Sequence, residues 1–297
     1  MISLVLAMVW SRRGQAVTLA LLSLFAVAAA VAAPAYLTAT NRAIAAGQIA
    51  TASAAERSLV ISSSQNDRQD DQDGGSVDFA NVGSALVNLP GFTYIYSAEY
   101  STIGIEHSLQ YADRFVFRQD VCSHVRMATG RCQVSEGEVI IGVATAKRLG
   151  LAAGDSIALR AAKFDEDPRH PGYVPDGEPK KLVIAGTYQV IAPDETYWGT
   201  HGYFTAVPGL GPGEPVFTDS ATLGAMDHGD TAVAIDGTGG PQALNPDHLD
   251  ALSTGLARLK IGSADLGPSI QISTAMPALL ARIYTGRKAA GDRKSVV

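Results

Sequence analysis

The chain has a long apolar run near its N-terminus. A longer region follows, in which short apolar segments are separated by polar ones. Residues 14–40 carry no charged side chain, and a helix of about 20 apolar residues is enough to cross a bilayer. The pattern predicts a transmembrane helix over residues 15–36, followed by an alanine-rich helical stalk over residues 37–57. We expect Pro34 to bend or stop this helix near its outer end.

The charges that flank the apolar run predict its orientation. Arg12 and Arg13 precede it, and the first charge after it is Arg42. Because positively charged flanks stay in the cytoplasm, we predict a cytoplasmic amphipathic segment over residues 1–14 and an extracytoplasmic location beyond about residue 36. A cleavable signal peptide is the alternative, since the end of the run is rich in small residues. Both alternatives export the rest of the chain.

The exported region has short runs with β-type and helical spacing, which predict one mixed α+β domain over residues 58–272. It lacks the regular strand–helix alternation of a doubly wound sheet. Strands are predicted at residues 58–62, 92–97, 114–117, 139–141, 156–161, 182–190 and 231–235. Helices are predicted at residues 77–89, 144–149, 219–225 and 246–259, the last with Asn245 as N-cap and Pro246 as its first residue. Polar or proline-rich connections are predicted at residues 64–76 and 165–181.

The segment "EVIIGVATAKRLGLAAGDSIAL" (residues 138–159) predicts a strand, a short helix, a tight turn and a second strand. Gly150 stands where a left-handed glycine ends a helix. We interpret the segment as a folding unit without chemistry of its own.

The C-terminal segment, residues 273–297, is amphipathic around Leu279, Leu280 and Ile283 and then becomes basic. It predicts a return helix, or a truncated tail that precedes a missing second span.

Charge and cysteine content narrow the class of protein. The net charge of -6 over 297 residues argues against a nucleic-acid partner, which usually requires a basic surface.

The two cysteines, Cys122 and Cys132, lie close together in a region predicted to be exported, which favours a disulfide. Two unpaired thiols, or a metal site with His124, are the alternatives.

The sequence contains no motif that assigns chemistry. We find no phosphate-binding GxxxxGK[ST] loop, no GxSxG elbow and no HExxH pair. We therefore expect no catalytic, cofactor-binding or metal-ligating residues, no cofactor and no enzymatic activity. The segment "APDETYWGTHG" (192–202) joins acids with Trp198 and His201, but one local cluster does not make the carboxylate pair of a glycosidase. The six histidines are expected to be mostly solvated.

Several motifs in order resemble the FtsX-like permeases of MacB-type ABC transporters, in their actinobacterial form. These motifs are "RRG" before the membrane helix, "APAYLTAT" at its outer end, "DVCSHVRMATGRC", "GEVIIGVATAKRLGLAAGDSIAL" and "KKLVIAGTYQVIAPDETYWG". The resemblance covers the first transmembrane helix and the periplasmic-core-like domain. It implies a mixed α/β extracytoplasmic domain, a cytoplasmic ABC ATPase subunit as partner, a possible second permease copy and contact with the lipid bilayer.

The family's permeases continue with further membrane helices after the core domain, whereas this chain ends at Val297. The expectation is a truncated permease, a fragment of one or a domain. The leading hypothesis is a membrane-anchored subunit or fragment of a permease, located in the cell membrane with a cytoplasmic N-terminus. The alternatives are an autonomous single-pass interaction protein without transport activity and an exported hydrolase.

Overall fold

A computed structural model describes residues 13–66, 89–105, 111–132, 135–167, 169, 171–204, 214–240, 242–265 and 270–292. The chain divides into two compact units. The first comprises Met1–Ala52, Asn245–Asp247 and Ala278–Val297, and the second comprises Ser53–Leu244 and His248–Pro277. The predicted helix over 77–89, except its last residue, and most of the predicted loop over 64–76 lie outside the described residues.

The first unit is built on helix α1 (Arg13–Ala50), which runs without interruption through Pro34. The expectation that Pro34 stops the helix is therefore wrong. Proline removes one backbone hydrogen bond, and alanine-rich flanks with high helix propensity maintain the helix on both sides. The predicted stalk is also shorter than expected, because α1 ends at Ala50 and a separate 3₁₀ turn follows at Ala55–Arg57.

The C-terminal end of α1 is packed, whereas its apolar part is exposed. Within the first unit, Arg287 donates through Nε to the carbonyl of Asn41 at 3.3 Å and through Nη2 to that of Pro246 at 2.9 Å. Arg42 pairs with Asp247 at 2.7 Å. The C-terminal helix (Met276–Asp292, named α5 below) thus contacts the residues of the predicted stalk.

The second unit is a mixed sheet with short helices. Its strands are β1 (Ser58–Asn66), β2 (Phe92–Ile103), β3 (Asp113–Arg118), β4 (Val125–Gly130), β5 (Glu138–Gly142), β6 (Ser156–Asp165), β7 (Gly172–Pro175), β8 (Lys180–Val190), β9 (Val216–Thr218), β10 (Asp230–Gly239) and β11 (Gln271–Thr274). Its helices are α2 (Val143–Leu149), α3 (Ser220–Gly224) and α4 (Leu249–Asp265). Helix α5 follows β11.

Strand pairing gives the order β11-β1-β10-β2-β3-β9-β5-β8-β6-β7, with β4 paired to β8. The β3–β9 and β5–β8 pairs are parallel. Strand β2 also pairs with β6 through Thr102–Ala161 and Ile103–Arg160. Strands β2, β3, β9, β5, β8 and β6 therefore close into a ring, and β10, β1 and β11 extend β2 as an antiparallel sheet.

Two hydrophobic cores lie on opposite faces of the ring strands. The inner core takes buried side chains from all six ring strands, among them Tyr100, Phe115, Ile141, Leu159, Ile184 and Val216. The outer core takes Val116, Ile140, Tyr188, Trp198, Tyr203 and Phe217. Neighbours such as Phe115 and Val116 fall in different cores because successive strand residues point to opposite faces.

The predicted fold class is confirmed: an N-terminal apolar helix precedes a mixed sheet-and-helix domain. All seven predicted strands exist, and the strand–helix–strand unit over 138–159 forms with Gly150 at φ 68°. The sequence missed β4, β7, β9 and β11.

Helix α4 begins at Leu249 rather than at Pro246, because Asn245 Oδ1 accepts from the backbone N–H of Asp247 in a turn before the helix. Sheet pairing extends to Thr274, beyond the predicted domain end at 272.

Candidate functional site

The predicted disulfide is present. Cys122 and Cys132 are bonded, with their Cα atoms 5.9 Å apart, and the bond ties the 3₁₀ turn Val121–Ser123 to the residues that follow β4. The alternatives of two free thiols or a metal site at these cysteines are therefore wrong.

The two arginines predicted to determine topology are placed differently by the structure. Arg12 lies outside the described residues, and Arg13 is the first residue of α1. Among the described residues, one helix is long and apolar enough to cross a membrane, at Val17–Ala50. The orientation of that helix stays a prediction.

A buried ion cluster joins β3, β10 and the segment after β8. Arg118 Nη1 lies 2.8 Å from Asp236 Oδ2, and the two side chains are 0% and 6% exposed. His201 Nε2 lies 2.8 Å from the same carboxylate oxygen. The sheet register brings these groups together, since Arg118 lies opposite Ser97 and Ser97 opposite Ala234, two residues before Asp236.

Arg118 of the cluster and Arg114, also on β3, bind residues 192–204, called the strap below, to the sheet. Arg118 Nη2 donates to the carbonyl of Tyr197, and Arg114 Nη1 donates to the carbonyl of His201 at 2.9 Å. The Tyr197 hydroxyl donates to the carbonyl of Gln119 at 2.6 Å. Trp198 and Tyr203 anchor the strap in the outer core. The strap is thus held by charged groups and by aromatic packing together.

Electrostatics at the cluster favour the ionised carboxylate. Burial alone raises the pKa of Asp236, but the hydrogen bond and charge of His201 and the charge of Arg118 together lower it below its ordinary value. Burial, with the nearby Glu99 charge, raises the pKa of Tyr203 far above its ordinary value. Within the described part of the chain, Asp236 Oδ1, Arg118 Nε and the Tyr203 hydroxyl have no hydrogen-bond partner.

The expectation of solvated histidines is wrong for three of the six. His201 belongs to the cluster. His124 lies 3.1 Å from the Glu195 carboxylate and stacks on Tyr197 with ring centroids 3.5 Å apart. His228 is buried and lies 3.1 Å from Thr231 Oγ1. His248 is exposed, and the remaining two lie outside the described residues. Local sequence does not show the partners of His124 and His201, because Glu195 and Asp236 lie 71 and 35 positions further along the chain.

Beside the cluster lies a groove of about 490 Å³ on the open face of β11, β1, β10 and β2. Its floor includes the cross-strand row Gln271–Ser62–Ala234–Ser97, and its wall is formed by Thr200 and His201 of the strap. The sequence flagged the strap through Trp198 and His201, but it did not indicate the groove. Of the predicted site residues, the described Cys122 and Cys132 do not line the groove.

The arrangement fixes polar groups around a concave surface, which is the usual form of a binding site. Among the described residues, no group of three or more His, Cys, Asp and Glu side chains is placed to hold a metal ion. The cluster itself positions the strap and the groove wall.

Comparisons with known proteins give two structural similarities. No protein-family model matches the chain, and no curated protein matches it. The fold is similar to that of a domain of a putative permease protein from Porphyromonas gingivalis, with 13% identity, a TM-score of 0.33 and coverage of 74% of this chain and 88% of that one. It is also similar to the periplasmic region of MacB from Actinobacillus actinomycetemcomitans, with 8% identity, a TM-score of 0.35 and coverage of 74% and 90%.

Proposed function

We propose that the chain is a membrane-anchored subunit, or a fragment, of an FtsX-like ABC transporter permease. In this proposal its extracytoplasmic domain couples ATPase-driven motion to a substrate or partner outside the membrane. A cytoplasmic ABC ATPase is the partner, and a second permease copy is a further candidate. The chain itself performs no catalysis.

The observation that carries the proposal is the continuity of α1. The helix has 38 residues and is about 57 Å long, whereas the hydrocarbon core of a bilayer is about 30 Å thick. A helix that leaves the membrane unbroken can transmit displacement, whereas a flexible linker cannot. The contacts of Arg287 with Asn41 and Pro246 brace its outer end.

Two further observations support export of the domain. Cys122 and Cys132 form a disulfide, and such bonds persist mainly in oxidising compartments. Arg12 and Arg13 precede the apolar run, which favours a cytoplasmic N-terminus.

The test is purification of the tagged full chain from membranes of its native cells after crosslinking, followed by mass spectrometry. We expect an ATPase with a phosphate-binding loop to be crosslinked through α1. The matched control replaces residues 13–36 with an unrelated transmembrane helix of equal length, which should keep the chain in the membrane and lose the ATPase.

A wild-type chain that crosslinks to no ATPase contradicts the permease proposal. That result favours the second candidate, an autonomous single-pass interaction protein, for which the polar groove beside the ion cluster is the supporting observation.

A further inference from the structure

We propose that the open face of the sheet is a binding site for a neutral, hydroxyl-rich chain of the oligosaccharide type. The groove beside the ion cluster adjoins a second groove of about 510 Å³. Both are lined by Ser64, Glu99 and Ala232, so they form one continuous trough. This inference does not depend on the proposed transporter role.

The floor of the trough carries serine hydroxyls, and two of these serines, Ser62 and Ser64, are accessible to solvent. Ser62 and Ser64 on β1 and Ser97 on β2 line it, and Ala232 and Ala234 lie between them on β10. Serine hydroxyls both donate and accept hydrogen bonds, as sugar hydroxyls do. The small side chains let a ligand approach the sheet closely.

The charged groups of the trough are already paired. Arg114 binds the carboxylate of Glu99 through three contacts of 2.7 to 3.0 Å. Lys163 lies 3.9 Å from Asp176, and Asp230 has an interaction of its own. Because Arg114 is opposite in charge to Glu99 and Lys163 is opposite in charge to Asp176, the trough has little excess charge to attract an ion, and a neutral ligand fits it best.

The polar walls are held in place before any ligand binds. Arg114 fixes the Glu99 carboxylate and also donates to the carbonyl of His201. His201 is fixed in turn by Asp236. Because these polar groups are already fixed, less conformational entropy is lost when a ligand binds, and a shallow site gains affinity in this way.

An aromatic pair lies at the far end of the trough. Phe164 on β6 is 53% exposed, and its ring meets that of Tyr173 on β7 edge to face with centroids 5.3 Å apart. Both residues line the second groove. A sugar ring has apolar faces and hydroxyl groups at its edges. An exposed aromatic ring can contact such a face, while nearby serine hydroxyls bind the edge.

An extended peptide fits this surface less well. Peptides that add to sheets bind at an edge strand, where main-chain groups are free. At the floor row Gln271–Ser62–Ala234–Ser97, strands β1, β10 and β2 are each paired on both sides, so only side chains are available for recognition there.

The experiment titrates the full chain in lipid nanodiscs, without sugar-based detergent, with cellohexaose and chitohexaose by calorimetry. We expect at least one of them to bind. Phe164→Ala should weaken that binding about five-fold or more, by loss of about 1 kcal/mol of ring contact. Ser62→Val, which suits a strand, should weaken it similarly by removing one hydrogen bond.

The matched control is Ile191→Ala, which removes a side chain that is 64% exposed and outside the trough; it should leave binding unchanged. Melting temperatures identify any variant that fails to fold. If Phe164→Ala or Ser62→Val fails to fold, the binding measured for the other variant tests the proposal. The proposal is overturned if neither sugar binds at millimolar concentration, or if sugar binding is insensitive to the folded trough variants. It is also overturned if a neutral Gly-Ser octapeptide binds in place of the sugars.

Discussion

At the scale of single residues, the Arg118–Asp236 pair is the contact with the largest expected effect. Both side chains are buried, and removal of one partner leaves the other charge uncompensated. We expect Asp236→Asn to lower the free energy of unfolding by about 3–5 kcal/mol, measured by chemical denaturation. Asp194→Asn on the exposed part of the strap is the matched control and should change it by less than about 0.5 kcal/mol. Equal effects of the two substitutions would contradict the role given to the cluster.

The same carboxylate predicts a pH dependence. The pKa of Asp236 is lower in the folded protein than its ordinary value of 3.8. Its contribution to stability is therefore complete above pH 3.8 and is lost as the pH falls through the lower, folded-state pKa. We expect the stability difference between wild type and Asp236→Asn to shrink as the pH falls below 3.8. Denaturation curves at pH 6 and pH 3 measure it; a difference that grows in acid would refute the assignment.

At the scale of elements, the disulfide fixes the 3₁₀ turn Val121–Ser123 relative to the end of β4. Cys122 and Cys132 are separated by 10 positions, and closing a loop of this size stabilises the folded state by about 2–3 kcal/mol. We expect reduction, or Cys122→Ser with Cys132→Ser, to lower the stability by that amount. Thermal melts with and without reductant provide the measurement, and reductant should have no effect on the double variant. Unchanged melting of the reduced wild type would contradict the prediction.

Two glycines, one directly after a helix and one inside a helix, should change the stability in opposite directions when replaced by alanine. Gly150 ends α2 at φ 68° with open space around it, so Gly150→Ala should cost about 1–2 kcal/mol from backbone strain alone. Gly47 lies inside α1, also with open space, and Gly47→Ala should stabilise the helix by about 0.5–1 kcal/mol. Melting temperatures of the two variants should move in opposite directions, and a shift in the same direction would contradict the assigned conformations.

At the scale of the whole molecule, we predict that the N-terminal helix is retained as an anchor. Helix α1 continues from its apolar part into the stalk without a break. The full chain should therefore stay in membranes after alkaline carbonate extraction, and its mass should include the apolar run. A reporter that is active only outside the cytoplasm should be active when fused after Val297. A soluble product that begins near residue 34 would instead establish a signal peptide.

The sequence by itself determined those features that depend on neighbouring residues. The uncharged run predicted the membrane-type helix, short β-type runs predicted strands such as β5 and β8, and Gly150 predicted the end of α2. The cysteine pair was likewise predicted, because its members are close along the chain. These predictions rest on helical and strand periodicity, on the conformational freedom of glycine and on short loops, which are all local properties.

Only the tertiary structure decided which distant segments meet. Closure of the ring depends on the pairing of Thr102 with Ala161, and the ion cluster joins Arg118 to Asp236 across 118 positions. The groove arises because β1 lies beside β10, with Ser62 opposite Ala234. Short strands such as β9 and β11 gain their stability from such pairing rather than from intrinsic propensity, since strand preference depends on the partners that a strand finds. The periodicity of one sequence indicates which face of a strand is apolar, but it does not indicate which strand lies next to it. The site could therefore be recognised only in the tertiary structure.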